Sequence, residues 1–508
     1  EVPTSCRGLG KCRECLVEVT EGMELLSQRA PQEVHLREGF RLACCSRVEG
    51  EEGKIACHTL RRNRMRIEEE GSRGAREGGG DPAVTREGGE RVLLEGREIA
   101  RSREPLHGLA VDIGTTTVVV RLHDLESGQI VAGASFENPQ RFAGSDIMAR
   151  IHYDSERGDH LLQRTLAGYL ARAVESFAPA PETIYEAVIA GNSTMRDLFF
   201  GLGVATIGRE PFRSLTEIEC EAGERAGTAL FSSPKKLGIP MHPEARVYGM
   251  PIVSGHVGAD AAACMLAVGM LEEDRTIAIM DLGTNSEVVV GNRQGAIVAS
   301  CPAGPAFEGG GVGAGMPGLE GAIERVVIDD DGRVEIGVIG GGAPEGICGS
   351  GLIDLLSELF RSGRMNARGR FEGGEDCFTV DAEHGIFLRE SDINELALAV
   401  GANVAGLKIV LNQAGLRPED IEVFHLAGAF GRHLDLAAAA RIGLIPEIEA
   451  SRFRRAGNAA IEGASAALLS LSSRLALEEM IGRTRHVRLE SDPDFFDIFV
   501  DGCLFGPF

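Results

Sequence analysis

A short acidic turn occurs twice in this chain of 508 residues, with similar apolar sequence on both sides. The first copy reads Asp112-Ile-Gly-Thr-Thr-Thr, and the second reads Asp281-Leu-Gly-Thr-Asn-Ser, 169 positions later. Each copy ends a β-rich run and is soon followed by Val-Val-Val, which predicts a β-hairpin at both places. Two matching hairpins restrict the chain to folds that contain a duplicated domain.

The residues in both turns are suited to binding phosphate. Backbone N–H groups and hydroxyls in a tight turn donate to phosphate oxygens, and a carboxylate at a strand end can hold Mg²⁺ through water. One such turn alone is usually only a hairpin, but the matched pair predicts that one nucleotide, ATP, is gripped from both sides. The predicted carboxylates are Asp112 and Asp281, and the predicted phosphate-binding residues are Gly114, Thr115, Thr116, Thr117, Gly283, Thr284, Asn285 and Ser286.

Three later segments add candidate residues. Asp260 is predicted to N-cap a helix of small residues and is a candidate for positioning Mg²⁺ or water. Glu308 lies in a glycine- and proline-rich loop and is either a residue of the same kind or a solvated loop side chain. Gly428 and Gly431 follow an apolar strand, where glycines would let a nucleoside pass close to the backbone.

Four cysteines near the N-terminus have the spacing of a metal centre. Cys6, Cys12 and Cys15 lie close together, and Cys44 follows after 28 further residues. Cys45 is the alternative fourth ligand, although successive strand residues point to opposite faces, so only one of the two should reach the centre. A structural zinc site is the rival interpretation, but only Cys12 and Cys15 fit the paired spacing that zinc prefers.

Composition excludes several classes of function. The net charge of −24 falls almost entirely after residue 105, which argues against binding to nucleic acid or to anionic membranes. The sequence contains neither a run of 18 apolar residues nor a hydrophobic signal core, so we expect a cytoplasmic protein. Clustered cysteines in such a chain favour a metal over disulfides.

The pattern predicts three regions. Residues 1–62 form a cysteine-rich domain, and residues 63–105, with balanced charge and many glycines, are predicted to be a flexible linker. Residues 106–508 are predicted to be an α/β domain with lobes of about 106–250 and 251–508. Predicted strands are 108–124, 129–135, 185–190, 276–292 and 423–426, and predicted helices are 158–177, 258–273, 350–362, 393–415 and 458–481.

These motifs resemble two known families. The cysteine spacing is similar to that of the adrenodoxin-like [2Fe–2S] ferredoxins, which implies a small β-grasp domain. Such ferredoxins have a β-hairpin before the first ligand, and only five residues precede Cys6 here, so we expect either that the domain is N-terminally truncated or that its cluster is less well shielded than usual. The chain has, in order, the first hairpin, the small-residue helix at Asp260, the second hairpin, the glycine turn at Gly428 and an alanine-rich helix after Asn458. This order resembles the phosphate, connecting and adenosine motifs of the ATPases of the actin, hexokinase and heat-shock chaperone superfamily. That resemblance implies a duplicated ribonuclease H-like ATPase domain.

More distinctive blocks narrow the resemblance to the reductive activators of corrinoid proteins. They are Asn138-Pro-Gln, Ala190-Gly-Asn-Ser-Thr-Met, Cys301-Pro-Ala-Gly-Pro-Ala-Phe-Glu and Gly346-Ile-Cys-Gly-Ser-Gly-Leu-Ile-Asp. The resemblance implies a [2Fe–2S] cluster, ATP and Mg²⁺ as cofactors, and ATP-dependent reduction of Co(II) corrinoid to Co(I). A corrinoid protein is the implied electron acceptor, an upstream reductase or ferredoxin the implied donor, and assembly as a homodimer is compatible with it.

Two other functions fit parts of the pattern. A small-molecule kinase with a regulatory iron–sulfur domain would need an acceptor pocket and a base, and the sequence offers no clear base beyond Asp260. In an ATP-dependent binding switch, the nucleotide would change only the affinity for a partner. In the favoured hypothesis, the lobes close on Mg-ATP and the tethered cluster swings on residues 63–105 to deliver its electron.

Overall fold

The computed structural model of this chain describes residues 15–34, 36–50, 52–59, 62–63, 80–144, 146–428 and 434–508. Cys6, Cys12 and Gly431, three of the predicted site residues, lie outside these ranges. The described residues form two compact units. The first runs to Leu266 and also includes Ala460–Ile481, and the second comprises Ala267–Ala459 and Gly482–Phe508.

Strands and helices alternate along most of the described chain. The strands are β1 (Leu16–Glu21), β2 (Phe40–Leu42), β3 (Ala56–Thr59), β4 (Arg62–Asn63), β5 (Val84–Glu87), β6 (Arg91–Leu94), β7 (Arg97–Arg101), β8 (His107–Ile113), β9 (Thr117–Asp124), β10 (Ile130–Glu137), β11 (Ile184–Gly191), β12 (Leu230–Ser232), β13 (Arg246–Gly249), β14 (Ile277–Asp281), β15 (Ser286–Asn292), β16 (Gly295–Cys301), β17 (Ala322–Ile328), β18 (Val334–Val338), β19 (Gly346–Ile347), β20 (Cys377–Asp381), β21 (Ile386–Arg389), β22 (Val423–Ala427), β23 (Phe453–Gly457) and β24 (Thr484–His486). The helices are α1 (Ile147–Arg157), α2 (Leu161–Glu175), α3 (Ser193–Phe200), α4 (Leu215–Glu221), α5 (Pro234–Leu237), α6 (Ala259–Ala267), α7 (Gly349–Arg361), α8 (Glu390–Ala414), α9 (Leu436–Arg441), α10 (Ala459–Leu469), α11 (Leu471–Ile481) and α12 (Phe495–Gly502).

Each unit is built on one large mixed sheet, and the two sheets share a five-strand core. The first sheet has the order β12-β13-β11-β8-β9-β10-β4, and the second has the order β23-β22-β14-β15-β16-β24. In both, a hairpin and its third strand are antiparallel, while two further strands lie parallel to the first strand of the hairpin. This common order confirms the duplication predicted from the repeated turn.

The apolar sequence of the strands explains where each core lies. Every residue of β8 and of β11 is buried, as expected for strands covered on both faces, whereas β9 alternates between buried and more exposed positions. In the second unit, α8 packs on β15, β16 and α12. By length and composition alone α8 could cross a membrane, but 72% of its most apolar window is buried inside the fold, which identifies a core helix.

The N-terminal strands form a separate three-stranded antiparallel sheet in the order β2-β1-β3. A buried ion pair joins the β1–β2 connection to β2. Arg41 Nε donates to Glu33 Oε1 at 2.9 Å, and the same oxygen accepts the Leu42 N–H at 2.8 Å. Leu16 and Leu42 share one hydrophobic core with Phe142, which follows β10, and with residues of the first large sheet. This small sheet is therefore packed against the rest of the first unit.

The expectation of a flexible linker over residues 63–105 is wrong for its described part. Strands β5, β6 and β7 form an antiparallel sheet, with Val84 and Val92 buried. Three glycines of the described part are turn residues: Gly88 and Gly89 have φ of 60° and 81°, and Gly96, with a φ of 81°, follows Glu95, with a φ of 48°, as in a type I′ hairpin. Arg86 Nε donates to Glu126 Oε1 at 2.9 Å, which joins this sheet to the turn between β9 and β10.

The boundary between the units also differs from the predicted one near residue 250. Helix α6 stays with the first unit because it packs against α10, where a Cβ on Gly463 would lie 2.0 Å from the Ala263 carbonyl oxygen. The single helix predicted for 458–481 is two helices, α10 and α11. They separate at Ser470, whose hydroxyl donates to Asp81 Oδ1 at 2.6 Å.

This close helix contact gives a stability prediction. Gly463→Ala places a methyl group against the backbone of α6, and overpacking of this kind costs about 1–3 kcal/mol. Thermal unfolding should therefore begin at a lower temperature in this variant. Gly168→Ala in α2 is the matched control, because a Cβ there meets no atom within 4 Å and should be neutral or slightly stabilising. Equal midpoints for both variants would contradict the predicted contact.

Candidate functional site

The first hairpin turns sharply between β8 and β9. The Gly114 N–H donates to the Thr117 carbonyl at 3.0 Å, which closes the turn over Thr115 and Thr116. Asp112 is buried near the end of β8, paired in register with Val119 of β9. The structure thus brings Asp112, Gly114, Thr115, Thr116 and Thr117 together in the hairpin predicted there.

Protein donors hold all three carbonyl oxygens of this turn. Asn138 donates from its side chain to Gly114 O at 2.8 Å and from its backbone to Thr116 O at 2.7 Å. Arg150 donates to Thr115 O at 2.6 Å. Carbonyl oxygens repel phosphate. Because Asn138 and Arg150 hold these carbonyls by hydrogen bonds, the N–H groups of the turn are left to bind an anion.

A second asparagine connects the turn to α3. Asn192 donates from Nδ2 to Thr115 Oγ1 at 3.0 Å, and its own side-chain oxygen caps α3 by accepting the Met195 N–H at 2.9 Å. Because this amide uses the Thr115 hydroxyl as an acceptor, the hydroxyl keeps its proton for another acceptor. The block Ala190-Gly-Asn-Ser-Thr-Met therefore positions one of the predicted phosphate donors.

The loop before α6 packs on the same asparagine. A Cβ on Gly258 would lie 2.4 Å from Asn192 Cα, and Ser193 Oγ donates to the Ser254 carbonyl at 2.6 Å. Asp260 follows within the first turn of α6, where its carboxylate accepts the Ala261 N–H at 2.8 Å. The prediction that Asp260 is the N-cap is wrong, because the helix begins one residue earlier, at Ala259.

The second hairpin, between β14 and β15, carries a carboxylate partner instead of an asparagine. Thr284 Oγ1 lies 2.9 Å from both carboxylate oxygens of Glu308, and the Gly304 N–H donates to the Thr284 carbonyl at 2.9 Å. The Gly304–Gly311 loop is therefore held against the turn, and Glu308 is not a solvated loop residue. Asp281 ends β14 beside this turn.

The glycine turn after β22 lies against the same hairpin. Ala427 is in register with Asp281, and Gly428 has a φ of 97°. A Cβ on Gly428 would lie 2.3 Å from Leu282 O and 3.2 Å from Asp281 Oδ1, so only glycine fits there. The second unit thus brings Asp281, Gly283, Thr284, Glu308 and Gly428 together.

Ser286 departs from the predicted set of phosphate donors. It is the first residue of β15 and is buried, and its hydroxyl has no hydrogen-bond partner among the described residues. A hydroxyl inside the sheet is closed to phosphate in this conformation, because the strand alternation turns Ser286 inward. Asn285, one residue earlier, is partly exposed in the turn.

Two of the four predicted cluster ligands lie in the described residues, on two chain segments that are hydrogen-bonded to each other. Cys15 is fully buried just before β1, and its carbonyl accepts the Ala43 N–H at 2.8 Å. Cys44 follows Ala43 in the turn after β2. A pair of thiols from chain segments so distant in sequence is what a shared cluster requires, so these residues fit a [2Fe–2S] group.

Cys45 occupies the same turn as Cys44. The two Sγ atoms are 3.7 Å apart, and the Cys45 N–H donates to Leu42 O at 2.8 Å. The argument that neighbouring cysteines face opposite ways is wrong here, because β2 ends at Leu42 and both thiols belong to a turn. Both cysteines therefore stay candidates for the fourth ligand by position.

The cysteines beside the glycine turns of the second unit belong to the interior. Cys301 is fully buried, and burial raises the pKa of its thiol far above the usual range. A Cβ on Gly406 of α8 would lie 2.0 Å from its sulfur atom. Cys348 is also buried and donates to Ile323 O at 3.3 Å. These contacts are those of structural thiols.

Arg150 is the residue at this site that the sequence does not reveal. It stands in no distinctive block, and α1 carries other charged side chains that resemble a solvated helix face. Asn138 and Asn192 do belong to distinctive blocks, but nothing in their spacing predicts that they hold one turn. Among the described residues, no group of three or more His, Cys, Asp or Glu side chains could hold a metal ion directly.

Three family models match the chain in succession. The 2Fe-2S iron-sulfur cluster binding domain matches residues 1–49, and the RACo middle region matches residues 107–273. The model described as the C-terminal domain of RACo, the ASKHA domain, matches residues 275–507. The first match favours the iron–sulfur interpretation of the cysteines over zinc.

Curated relatives and a solved structure agree with these matches. The corrinoid activation enzyme RamQ of Eubacterium limosum is 33% identical over 451 residues, 82% of this chain and 74% of that protein. The [Co(II) methylated amine-specific corrinoid protein] reductase of Methanosarcina barkeri is 24% identical over 368 residues, 67% of this chain and 66% of that protein.

The solved structure is the reductive activator for corrinoid,iron-sulfur protein. It superposes with a TM-score of 0.74 at 28% identity, covering 99% of this chain and 93% of that one. Domain order, sequence and fold all lead to one family. The chain belongs to the reductive activators of corrinoid proteins, in which a ferredoxin-type 2Fe-2S domain precedes an ASKHA domain.

Proposed function

We propose that this chain reduces the Co(II) form of a corrinoid protein to Co(I) and uses ATP to drive that step. One observation carries the proposal: the Cys15 carbonyl is hydrogen-bonded to Ala43, the neighbour of Cys44, in the same compact unit as the braced Asp112 hairpin. An electron-transfer centre and a nucleotide site in one unit are what ATP-driven reduction needs. The names of the relatives, which describe corrinoid activation and corrinoid reduction, support it.

Cys6, Cys12, Cys15 and Cys44 are the proposed ligands of a [2Fe–2S] cluster. Such a cluster supplies one electron at a time, and the acceptor's Co(II) takes up one electron to become Co(I). The electron would come from an upstream reductase or ferredoxin. The buried Glu33–Arg41 pair holds the Leu42 N–H, two residues before Cys44, and so fixes the segment that delivers that ligand.

The two hairpins are the proposed phosphate contacts, each within its own unit. In the first, Thr115 and its neighbours offer backbone and hydroxyl donors, while Asp112 is placed to hold a water of hydrated Mg²⁺. In the second, Thr284 binds Glu308, and Asp281 lies beside Gly428. Glu308 is the proposed residue that orients water, because a carboxylate is an acceptor that can align its protons.

Energy input is needed because Co(I) corrinoid is a strong reductant. A [2Fe–2S] ferredoxin of this kind can lie at about −400 mV or higher. An uphill one-electron step of roughly 200 mV would cost about 5 kcal/mol, at 59 mV per tenfold change in equilibrium constant. Binding or hydrolysis of ATP can supply such an amount if it favours the conformation in which the electron is transferred.

The segment from Asn138 to Gly144 is the proposed link between nucleotide and cluster. At one end Asn138 bonds Gly114 and Thr116 of the hairpin. At the other, Phe142 shares a core with Leu16 and Leu42, and Arg141 lies 3.5 Å from Glu18 of β1. A change in the conformation of the turn on nucleotide binding would therefore be transmitted to strands β1 and β2, next to Cys15 and Cys44.

Anaerobic absorption spectroscopy tests the proposal directly. The reduced chain is mixed with a candidate Co(II) corrinoid protein, with Mg-ATP, with Mg-ADP or without nucleotide. The Co(I) spectrum should appear only with Mg-ATP. Partner binding or release that depends on ATP but leaves the cobalt spectrum unchanged would instead indicate a binding switch, and phosphorylation of a metabolite would indicate a kinase.

Two substitutions should separate the halves of the reaction. Cys12→Ser should remove cluster absorption and Co(I) formation while ATP affinity stays within a factor of about two, since Cys12 is not expected to contact nucleotide. Asp112→Ala should leave the cluster intact and lower ATP affinity by at least about tenfold, or 1.4 kcal/mol. Full Co(I) formation by Asp112→Ala would refute the role of ATP at this hairpin.

The fourth cluster ligand can be assigned with a matched pair. We expect Cys44→Ser to lose most iron and visible absorption and Cys45→Ser to retain both, because the family spacing selects Cys44. Iron content and electron paramagnetic resonance of the reduced proteins give the readout. Since the two sulfur atoms lie 3.7 Å apart, the double variant shows whether Cys45 replaces a missing Cys44. The opposite pattern in the single variants would assign Cys45.

A further inference from the structure

The interior of the first unit holds four arginines that are almost completely buried: Arg41, Arg150, Arg196 and Arg474. Three of them pair with a carboxylate. Arg41 bonds Glu33, Arg196 bonds Asp197 and Arg474 bonds Glu186. Arg150 differs from the others, because its described hydrogen bonds reach only uncharged acceptors.

Those acceptors place its charge directly behind the first hairpin. The guanidinium donates to Thr115 O at 2.6 Å, to Gly144 O at 3.0 Å and to Met195 Sδ at 3.1 Å. The nearest described acid on its own helix, Asp146, is exposed and accepts the Ala149 N–H at 2.8 Å as N-cap of α1. The positive charge of Arg150 is therefore not neutralised by an ion pair within the described residues.

A buried cation without an anionic partner is costly, and it persists only where something compensates for it. Burial and the nearby Arg141 lower the pKa of Arg150 to about 9, while Asp146 opposes the shift. The guanidinium thus stays charged at neutral pH. The guanidinium lies next to the Thr115 turn, which is suited to phosphate. A phosphate bound there would supply the negative charge that balances Arg150.

We propose that Arg150 is the charged positioning residue of the first phosphate hairpin, acting through Thr115 and stabilising a polyphosphate by its uncompensated charge. This inference rests on the proposed use of ATP. Arg150 does not contact the ligand itself, since its side chain is buried behind the turn. It fixes the Thr115 carbonyl inward, and the Thr115 hydroxyl, which accepts from Asn192, is left to donate outward.

The proposal predicts a loss that depends on ligand charge. Arg150→Gln keeps a donor for the carbonyls but removes the charge, and Arg150→Lys keeps the charge but removes the planar fork. Titration calorimetry on the full chain would measure the affinities for ATP, ADP and adenosine. For Arg150→Gln we expect at least about tenfold weaker binding of ATP and ADP, with adenosine changed less than about twofold. Arg150→Lys should recover part of the ATP affinity.

Arg474→Met is the control for a merely structural effect. This buried arginine pairs with Glu186. Glu186 lies near the start of β11, and the hairpin lies beside the other end of that strand. Its loss should lower the unfolding temperature without changing the ratio of ATP to adenosine affinity. The proposal is overturned if Arg150→Gln weakens the binding of ATP and of adenosine equally, or weakens the binding of neither. It is also overturned if both Arg150→Gln and Arg150→Lys fail to fold. If the unaltered chain binds no ATP, the proposed function fails first and this inference with it.

Discussion

The hydrogen bonds onto the Gly114–Thr116 carbonyls are the interaction on which the proposed site depends. A turn that binds phosphate must present N–H groups and hydroxyls, so its carbonyl oxygens need partners on the other side. Asn138 and Arg150 provide them, and Asn192 orients the Thr115 hydroxyl. The same Asn138 begins the segment that packs on the ferredoxin-type strands. One set of bonds therefore shapes the proposed nucleotide turn, and its Asn138 begins the segment that contacts the cysteine-bearing sheet.

The duplicated hairpins share a topology but not a chemistry. Amide and guanidinium groups surround the first turn, whereas the second carries the Glu308 carboxylate on Thr284. A cationic environment suits the charge of phosphate, and a carboxylate suits Mg²⁺ hydration or a water molecule. Duplication thus explains why both turns exist. The different residues around each turn explain how one can suit phosphate and the other Mg²⁺ hydration or a water molecule.

Much of the fold follows from local pattern. Both hairpins, the strand Val423–Ala427 and helices α2, α7 and α8 form where apolar periodicity predicts them. The failures have two causes: glycine occurs both in flexible chain and in tight turns, and distant residues can end a helix. In residues 84–101 glycines at positive φ make tight hairpins, although their number and the mixed charge suggest a flexible chain. Ser470 divides a predicted helix because it bonds Asp81, a residue 389 positions away.

By itself, the sequence determined the repeated turns, the cysteine spacing and the duplication, because each is a matter of residue type and spacing. Tertiary structure alone decided that Cys44 and Cys45 share a turn, that the Ser286 hydroxyl is buried and that Glu308 reaches Thr284. It also decided that Arg150 lies behind Thr115 without a carboxylate. A buried charge gets its role from the residues around it, and those neighbours are brought together only when the sheet and α1 pack.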